Sequence, residues 1–248
     1  MSGRALPRRP WQRALRHPSF LAGGLLALLV LGAAFLSLWW TPWSPYAMDM
    51  AQRLAPPGGT HWLGTDAFGR DVASLLLVGA RSSLLAGVVA VGIGLVVGTA
   101  LGLLAAARRG WVEELVMRLA DFSFAFPAVL SAILFTAAWG AGLVNAIVAI
   151  GIFNIPLFAR VARAGALGVG SREYVLAARA CGQGILRITL EHVLPNIASA
   201  LIVQATVQFA LAILAEAALS YLGLGTQPPQ PSWGRMLADA QTLMHQAP

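Results

Sequence analysis

The sequence predicts an all-α protein, a polytopic bundle of membrane-spanning helices with five spans in this chain. Three observations carry that prediction. Of 248 residues, 58% are hydrophobic and only 11% are charged, whereas soluble domains carry about a quarter charged residues. Mean hydropathy is +0.71. The apolar residues are also gathered into runs of about twenty, the length a helix needs to cross a bilayer. All 17 basic residues are Arg, and the net charge is +7. They lie beside the apolar runs, as topology signals do, and not on the basic face that nucleic acid would require. The single Cys181 excludes an internal disulfide and a cysteine metal cluster.

Residues 1–18 hold Arg4, Arg8, Arg9, Arg13 and Arg16 and form a basic tail. The first span, Phe20–Trp40, ends in an interfacial Trp pair and lacks a small-x-small cleavage site, so it is an anchor and not a signal peptide. Residues 41–81 are polar and Pro-rich and make a long loop. The second span, Ser82–Ala107, repeats Ala86, Ala90, Gly94, Gly98, Gly102 and Ala106 every four residues. Such a smooth stripe serves close packing within the chain or a subunit interface. The third span, Val116–Ala138, carries Arg118 and Asp121 three apart, suited to pairing, and a kinking Pro127. The fourth, Leu143–Val161, contains Asn154 and Pro156; the fifth, Asn196–Leu222, contains Gln204, Gln208 and Glu216. The closing residues place Trp233, Met236, Leu237 and Leu243 at amphipathic spacing, as a lead-in to further structure.

Orientation follows from the arginines. With the N-terminus inside, the inner side holds Arg4, Arg8, Arg9, Arg13, Arg16, Arg108, Arg109, Arg118, Arg160, Arg163, Arg172, Arg179 and Arg187, while the outer side holds Arg53, Arg70, Arg81 and Arg235. Thirteen against four is a positive-inside bias that places the polar loop 163–195 in the cytoplasm.

Within that loop, Leu176, Ala177, Ala178 and Ala180 favour helix, Gly182 and Gly184 stop it, and Arg187–His192 begin a second helical piece that Pro195 ends. A helix, a Gly turn and a helix at the inner surface, with small Ala177-Ala178 ringed by Arg172, Glu173 and Arg179, is either a partner-docking surface or a solvated loop.

The pattern resembles the cytoplasmic signature of permease subunits of bacterial ABC importers: Glu-Ala-Ala, three residues, Gly, nine residues, then Ile-x-Leu-Pro. Ala177-Ala178, Gly182, Leu194 and Pro195 match, while Leu176 and His192 depart in the manner of the dipeptide/oligopeptide/nickel branch. HWLGTDAFGRDVAS from His61, MRLADFSFAFPAVL from Met117, EAALSYLGLG from Glu216 and PSWGRML from Pro231 resemble further segments of the second-permease type of that branch, in order. The resemblance implies a coupling helix over residues 172–184, with Arg172, Glu173, Tyr174, Ala177, Ala178, Arg179, Gly182 and Gly184 against an ATP-hydrolysing subunit. It implies as partners a homologous second permease, two ATPase subunits and an external solute-binding protein, in a bacterial inner membrane. The solute is a peptide or a related small molecule, with nickel or another metal ion as the alternative. The family continues into a sixth span, and this sequence stops about where that span would begin.

Other candidates are weaker. The chain has no Gly-rich phosphate loop ending in Gly-Lys-Ser/Thr, so no cofactor is expected here and ATP would be bound by partner subunits. No catalytic constellation is visible, so the chain is not expected to be an enzyme. His61, Asp66 and Asp71 are metal-compatible types, but their spacing suits turns, helix caps or pairing with Arg70 or Arg81. Glu216 sits deep in its span, where a charge costs roughly 2.5–3.5 kcal/mol, so it faces protein or water. With Gln204 and Gln208, one turn apart, it is a candidate for the translocation pathway or for a buried hydrogen bond. A secondary transporter would show internal repeats and more intramembrane charge, and neither is visible.

Overall fold

The computed structural model describes residues 17–245 and contains, among them, helices and turns but no strand. Eight helices follow in order: α1 (Pro18–Leu36), α2 (Val72–Arg108), α3 (Gly110–Phe124), α4 (Ala128–Trp139), α5 (Leu143–Gly170), α6 (Glu173–Ala180), α7 (Ile185–Tyr221) and α8 (Trp233–Leu243). The basic tail expected over residues 1–18 lies, up to residue 16, outside the described residues. Four helices, α1, α2, α5 and α7, are long and apolar enough to cross a membrane, and α3 with α4 makes a fifth if the bent pair is one span. The chain divides into two compact units, Met1–Arg81 and Ser82–Pro248.

In the first unit, α1 is apolar all round and almost wholly exposed, which suits a lipid-facing helix. The loop that follows is tied by backbone bonds from Thr65 to Ala55 (3.0 Å), from Asp66 to Arg70 (2.9 Å) and from Val72 to Gly64 (3.1 Å). Gly69 turns the chain at φ +72°, and a Cβ there would lie 1.8 Å from the Asp49 carbonyl, so only Gly fits. Helix α2 starts ten residues before the span read from Ser82, at Val72. Asp71 caps it: its Oδ2 accepts from the Ser74 backbone N–H (2.8 Å) and hydroxyl (2.7 Å). Arg81, Ser82 and Ser83 hide this first stretch from an apolar reading. At 37 residues α2 is about 55 Å long, well beyond the roughly 30 Å hydrocarbon layer.

In the second unit, α5 is the central helix. It packs against α3, α4 and α7, and α8 packs on α7. The glycine stripe settles against α5 of the same chain. A Cβ at Gly94 would lie 2.4 Å from the Asn154 Cβ, at Gly98 2.4 Å from the Ile155 carbonyl, and at Gly102 2.3 Å from the Ala159 carbonyl. Small residues therefore bring the two backbones together around the buried Phe158.

The third span is not one kinked helix. Helix α3 ends at Phe124, the chain turns at Ala125–Pro127, and α4 leaves at 89°. Pro127 has no N–H to continue the ladder and drives Phe126 out of helical geometry. Arg118 does not pair with Asp121. It reaches Glu114, one turn back (3.3 Å), while Asp121 pairs with Arg160 and Glu113 with Arg163, joining α3 to α5. Helix α5 also runs nine residues past the expected end at Val161, through Ala- and Gly-rich sequence to Gly170.

Candidate functional site

The segment between α5 and α7 is built as a presented surface. Helix α6 has eight residues, too few to persist alone. It is held by Val175, which is fully buried, and by a glycine cap at its end. Gly182 sits at φ +80°; its N–H donates to the Arg179 carbonyl (2.9 Å), and the Gln183 N–H donates to the Ala178 carbonyl (3.1 Å). This paired-bond cap satisfies two carbonyls that the helix would otherwise leave open. Tyr174 meets His192 edge-on, with centroids 6.1 Å apart, and His192 Nε2 lies 3.3 Å from Gln183 Oε1. Arg172, Glu173, Tyr174, Ala177, Arg179, Gly182 and Gly184 are all exposed, and Ala178 is half-buried. Among the described residues, no ion pair uses Arg172, Glu173 or Arg179. Residues 185–221 then form one helix interrupted by a π turn at Thr189–Val193.

The three candidates on α7 fall in different places. Glu216 is fully buried in a knot of hydroxyls. It accepts from Ser220 (2.6 Å), Ser83 (3.1 Å) and Thr226 (3.2 Å), and the Thr226 N–H donates to Ser220 Oγ (2.9 Å). The knot ties α2, α7 and the turn after α7 together. Gln208 lines a cavity of about 430 Å³ between α4, α5 and α7, with the end of α3. Gln204 is half-buried and, like Glu216, lies outside that lining. Asn154 on α5, which the sequence reading did not place at a site, also borders this cavity; it is only 7% exposed, and its Nδ2 is buried with no hydrogen-bond partner among the described residues. The signal available in the sequence was an amide in mid-span two residues before Pro156.

His61, Asp66 and Asp71 resolve into structural pairs. Asp66 binds Arg70 and accepts from the Phe68 and Arg70 backbone N–H groups (2.8 and 2.9 Å). His61 Nδ1 donates to Asp71 Oδ1 (2.9 Å). The Ser74 hydroxyl also donates to Asp71. Burial raises the Asp71 carboxyl, but hydrogen bonds from Ser74 and His61, with the His61 charge, outweigh it and hold the group below the ordinary aspartate value. Among the described residues, no group of three or more His, Cys, Asp or Glu side chains is placed to hold a metal ion.

An all-helical membrane subunit with a presented, glycine-capped helix between two spans is the form of a transporter permease. The chain belongs to the family of binding-protein-dependent transport system inner membrane components, whose model matches residues 98–247. It is 40% identical over 242 residues to the glutathione transport system permease protein GsiD of Pectobacterium atrosepticum, covering 97% of this chain and 80% of that one. It is 42% identical to the di/tripeptide transport system permease protein DppC of Pseudomonas aeruginosa, with 96% and 80% covered. The dipeptide permease DppC of Alkalihalophilus pseudofirmus is 40% identical over the same shares. In fold the chain is similar to a structure of the MetNI methionine ABC transporter in inward-facing conformations, with a TM-score of 0.59, 20% identity, and 70% of this chain and 83% of that one covered.

Proposed function

We propose that this chain is the permease subunit of an ATP-driven importer of peptides, and that residues 172–184 are its contact with a separate ATPase. The observation that carries the reading is the segment itself: a short helix with its small and charged residues exposed, held from beneath by Val175 and closed by Gly182. Its neighbours in the chain support a lever. Helix α5 enters it and α7 leaves it, so a push on α6 acts on two spans at once. The relatives, permease proteins of transport systems for glutathione, dipeptides and di- or tripeptides, support a peptide as the solute. Chemistry in partner chains supplies the energy: ATP closes a pair of ATPase subunits, α6 moves, and the spans exchange inward- and outward-open states. A second permease, an external solute-binding protein and a cytoplasmic N-terminus, as the arginine bias indicates, complete the assembly.

The test is substitution at the contact. Ala178→Arg and Gly182→Arg put a long charged side chain where a close-fitting surface must dock. Peptide uptake is expected to fall at least tenfold while ATP hydrolysis by the complex continues, a loss equal to about 1.4 kcal/mol or more. Wild-type uptake in both variants would remove the coupling role from this segment.

A further inference from the structure

We propose that α3 lies flat in the inner boundary of the bilayer, with its apolar face among the first acyl carbons beneath the headgroups, so that its partner is the lipid surface. The choice of leaflet rests on the orientation proposed above. The lipid contact itself depends neither on that orientation nor on the solute.

Composition changes at the bend between α3 and α4. Helix α3 carries Glu113, Glu114, Arg118 and Asp121 within 15 residues, whereas α4 carries no charge. A charge at the bilayer centre costs roughly 2.5–3.5 kcal/mol on insertion scales, so α4 suits the hydrocarbon layer and α3 does not. Water does not suit α3 either. Trp111, Leu115, Leu119 and Phe122 are each at least 51% exposed, and at 100° per residue they share an arc of about 80° on one face. The opposite side belongs to α5: Glu113 and Asp121 pair with Arg163 and Arg160, and Ala120 is buried. Glu114 and Arg118 form an exposed pair along the remaining edge. One side on the bundle, one polar edge and one uncovered apolar face is the layout of a helix at a membrane surface.

The backbone has the matching inclination. Helix α4 leaves α3 at 89°, so if the uncharged α4 runs into the bilayer, α3 lies nearly in its plane. The ion pairs point the same way independently. Glu113 and Asp121 are eight residues apart, about 12 Å along α3, while their partners Arg163 and Arg160 are three apart, about 4.5 Å along α5. Helix α3 therefore crosses α5 and does not run beside it. The crossing falls at the arginine-marked end of α5, and Arg108 and Arg109, just before α3, are exposed to the level where headgroups and water solvate cations. Arg118, two turns from Trp111, stands at the edge of the apolar arc. A second protein covering that arc would bury this charge at a cost, whereas the bilayer boundary lets its guanidinium reach the headgroups while the stem lies on apolar carbon.

The test measures depth. The full chain, purified from its host membranes with its partners, is placed in phosphatidylcholine nanodiscs. In a Cys181→Ser background, a nitroxide is attached to Leu115→Cys, Leu119→Cys, Phe122→Cys or Glu114→Cys, all at exposed positions. Collisions with oxygen, which favours lipid, and with a chromium chelate, which favours water, give the depth of each label. The three apolar positions are expected to be oxygen-favoured, about 5–10 Å into the headgroup–acyl boundary, and the Glu114 position chelate-favoured. Leu115 and Phe122 lie two turns apart on the same face. In a flat helix, even one tilted by about 20°, their depths agree within about 4 Å; in a spanning helix they differ by about 10 Å. Three results overturn the proposal: the 10 Å difference, which makes α3 part of a span; chelate-favoured labels throughout, which leave the face in water; or slow collision with both reagents, which puts another protein on it. Depth reads the same from either side of the disc, so an inverted chain changes only the name of the leaflet.

Discussion

Glu216 and Asn154 are both polar side chains buried in the second unit, on the two helices that flank α6, and their surroundings are opposite. Glu216 gathers three hydroxyl donors from α2, α7 and the turn beyond. Asn154 has a buried donor with no acceptor among the described residues. The contrast separates two uses of polarity in a membrane. A satisfied knot fixes where helices sit, because breaking it strands several groups at once. An unsatisfied group makes no such tie, and only the packing around it holds it in place.

Four experiments break or sharpen that contrast. The largest effect is expected from Glu216→Leu, which leaves three buried hydroxyls without their acceptor. A loss of about 3 kcal/mol or more corresponds to a midpoint lower by roughly 6–12 °C in thermal unfolding of the solubilised protein. Glu216→Gln, which keeps an acceptor oxygen, should fall between. An unchanged midpoint in the Leu variant would put Glu216 in the same class as Asn154. Next comes Gly98→Val, whose Cβ would press on the Ile155 carbonyl at 2.4 Å. Overpacking of about 2 kcal/mol lowers the midpoint by roughly 4–8 °C; if it does not, the α2–α5 crossing that pins Asn154 is looser than described. Smaller still is Gly182→Ala, outside the apolar core, where a side chain at φ +80° costs about 1 kcal/mol. It should show as faster hydrogen exchange at Gln183, with exchange in α5 unaffected.

The smallest effect at neutral pH belongs to Asp71. Its folded pKa is depressed, so its contribution is fully present above the unfolded value of about 4 and is lost as pH falls through the folded one. Unfolding midpoints should hold steady from neutral pH down to about pH 5 and fall below pH 4. Asp71→Asn should flatten that acid limb, and an identical limb in the variant would assign it to other carboxylates.

The helical spans were legible because apolar runs of spanning length leave few alternatives, and the short helix α6 with its Gly182 turn was legible because its glycines and alanines act locally. What escaped reading depended on neighbours. Pro127 fits both an in-line kink and a sharp turn, and hydropathy is the same for either. The first ten residues of α2 were masked by Arg81, Ser82 and Ser83, polar groups that burial tolerates once they have partners. Asp121 sits as well placed for Arg118 by spacing as for Arg160 by folding, and only the approach of α5 decides it. Glu216 and Asn154 look alike in sequence, each a polar residue in mid-span. Three hydroxyls brought from positions 83, 220 and 226 make one a structural anchor. Nothing in the line of residues says that the other was left alone.

The turn that closes α6 carries one more property. Cys181, the chain's single thiol, is free and exposed there, between Ala180 and Gly182. The native protein is thus already a one-site reagent. A maleimide dye added to the unaltered chain would mark the face that we propose meets a partner, and a change in its brightness on adding ATP to the complex would report movement there.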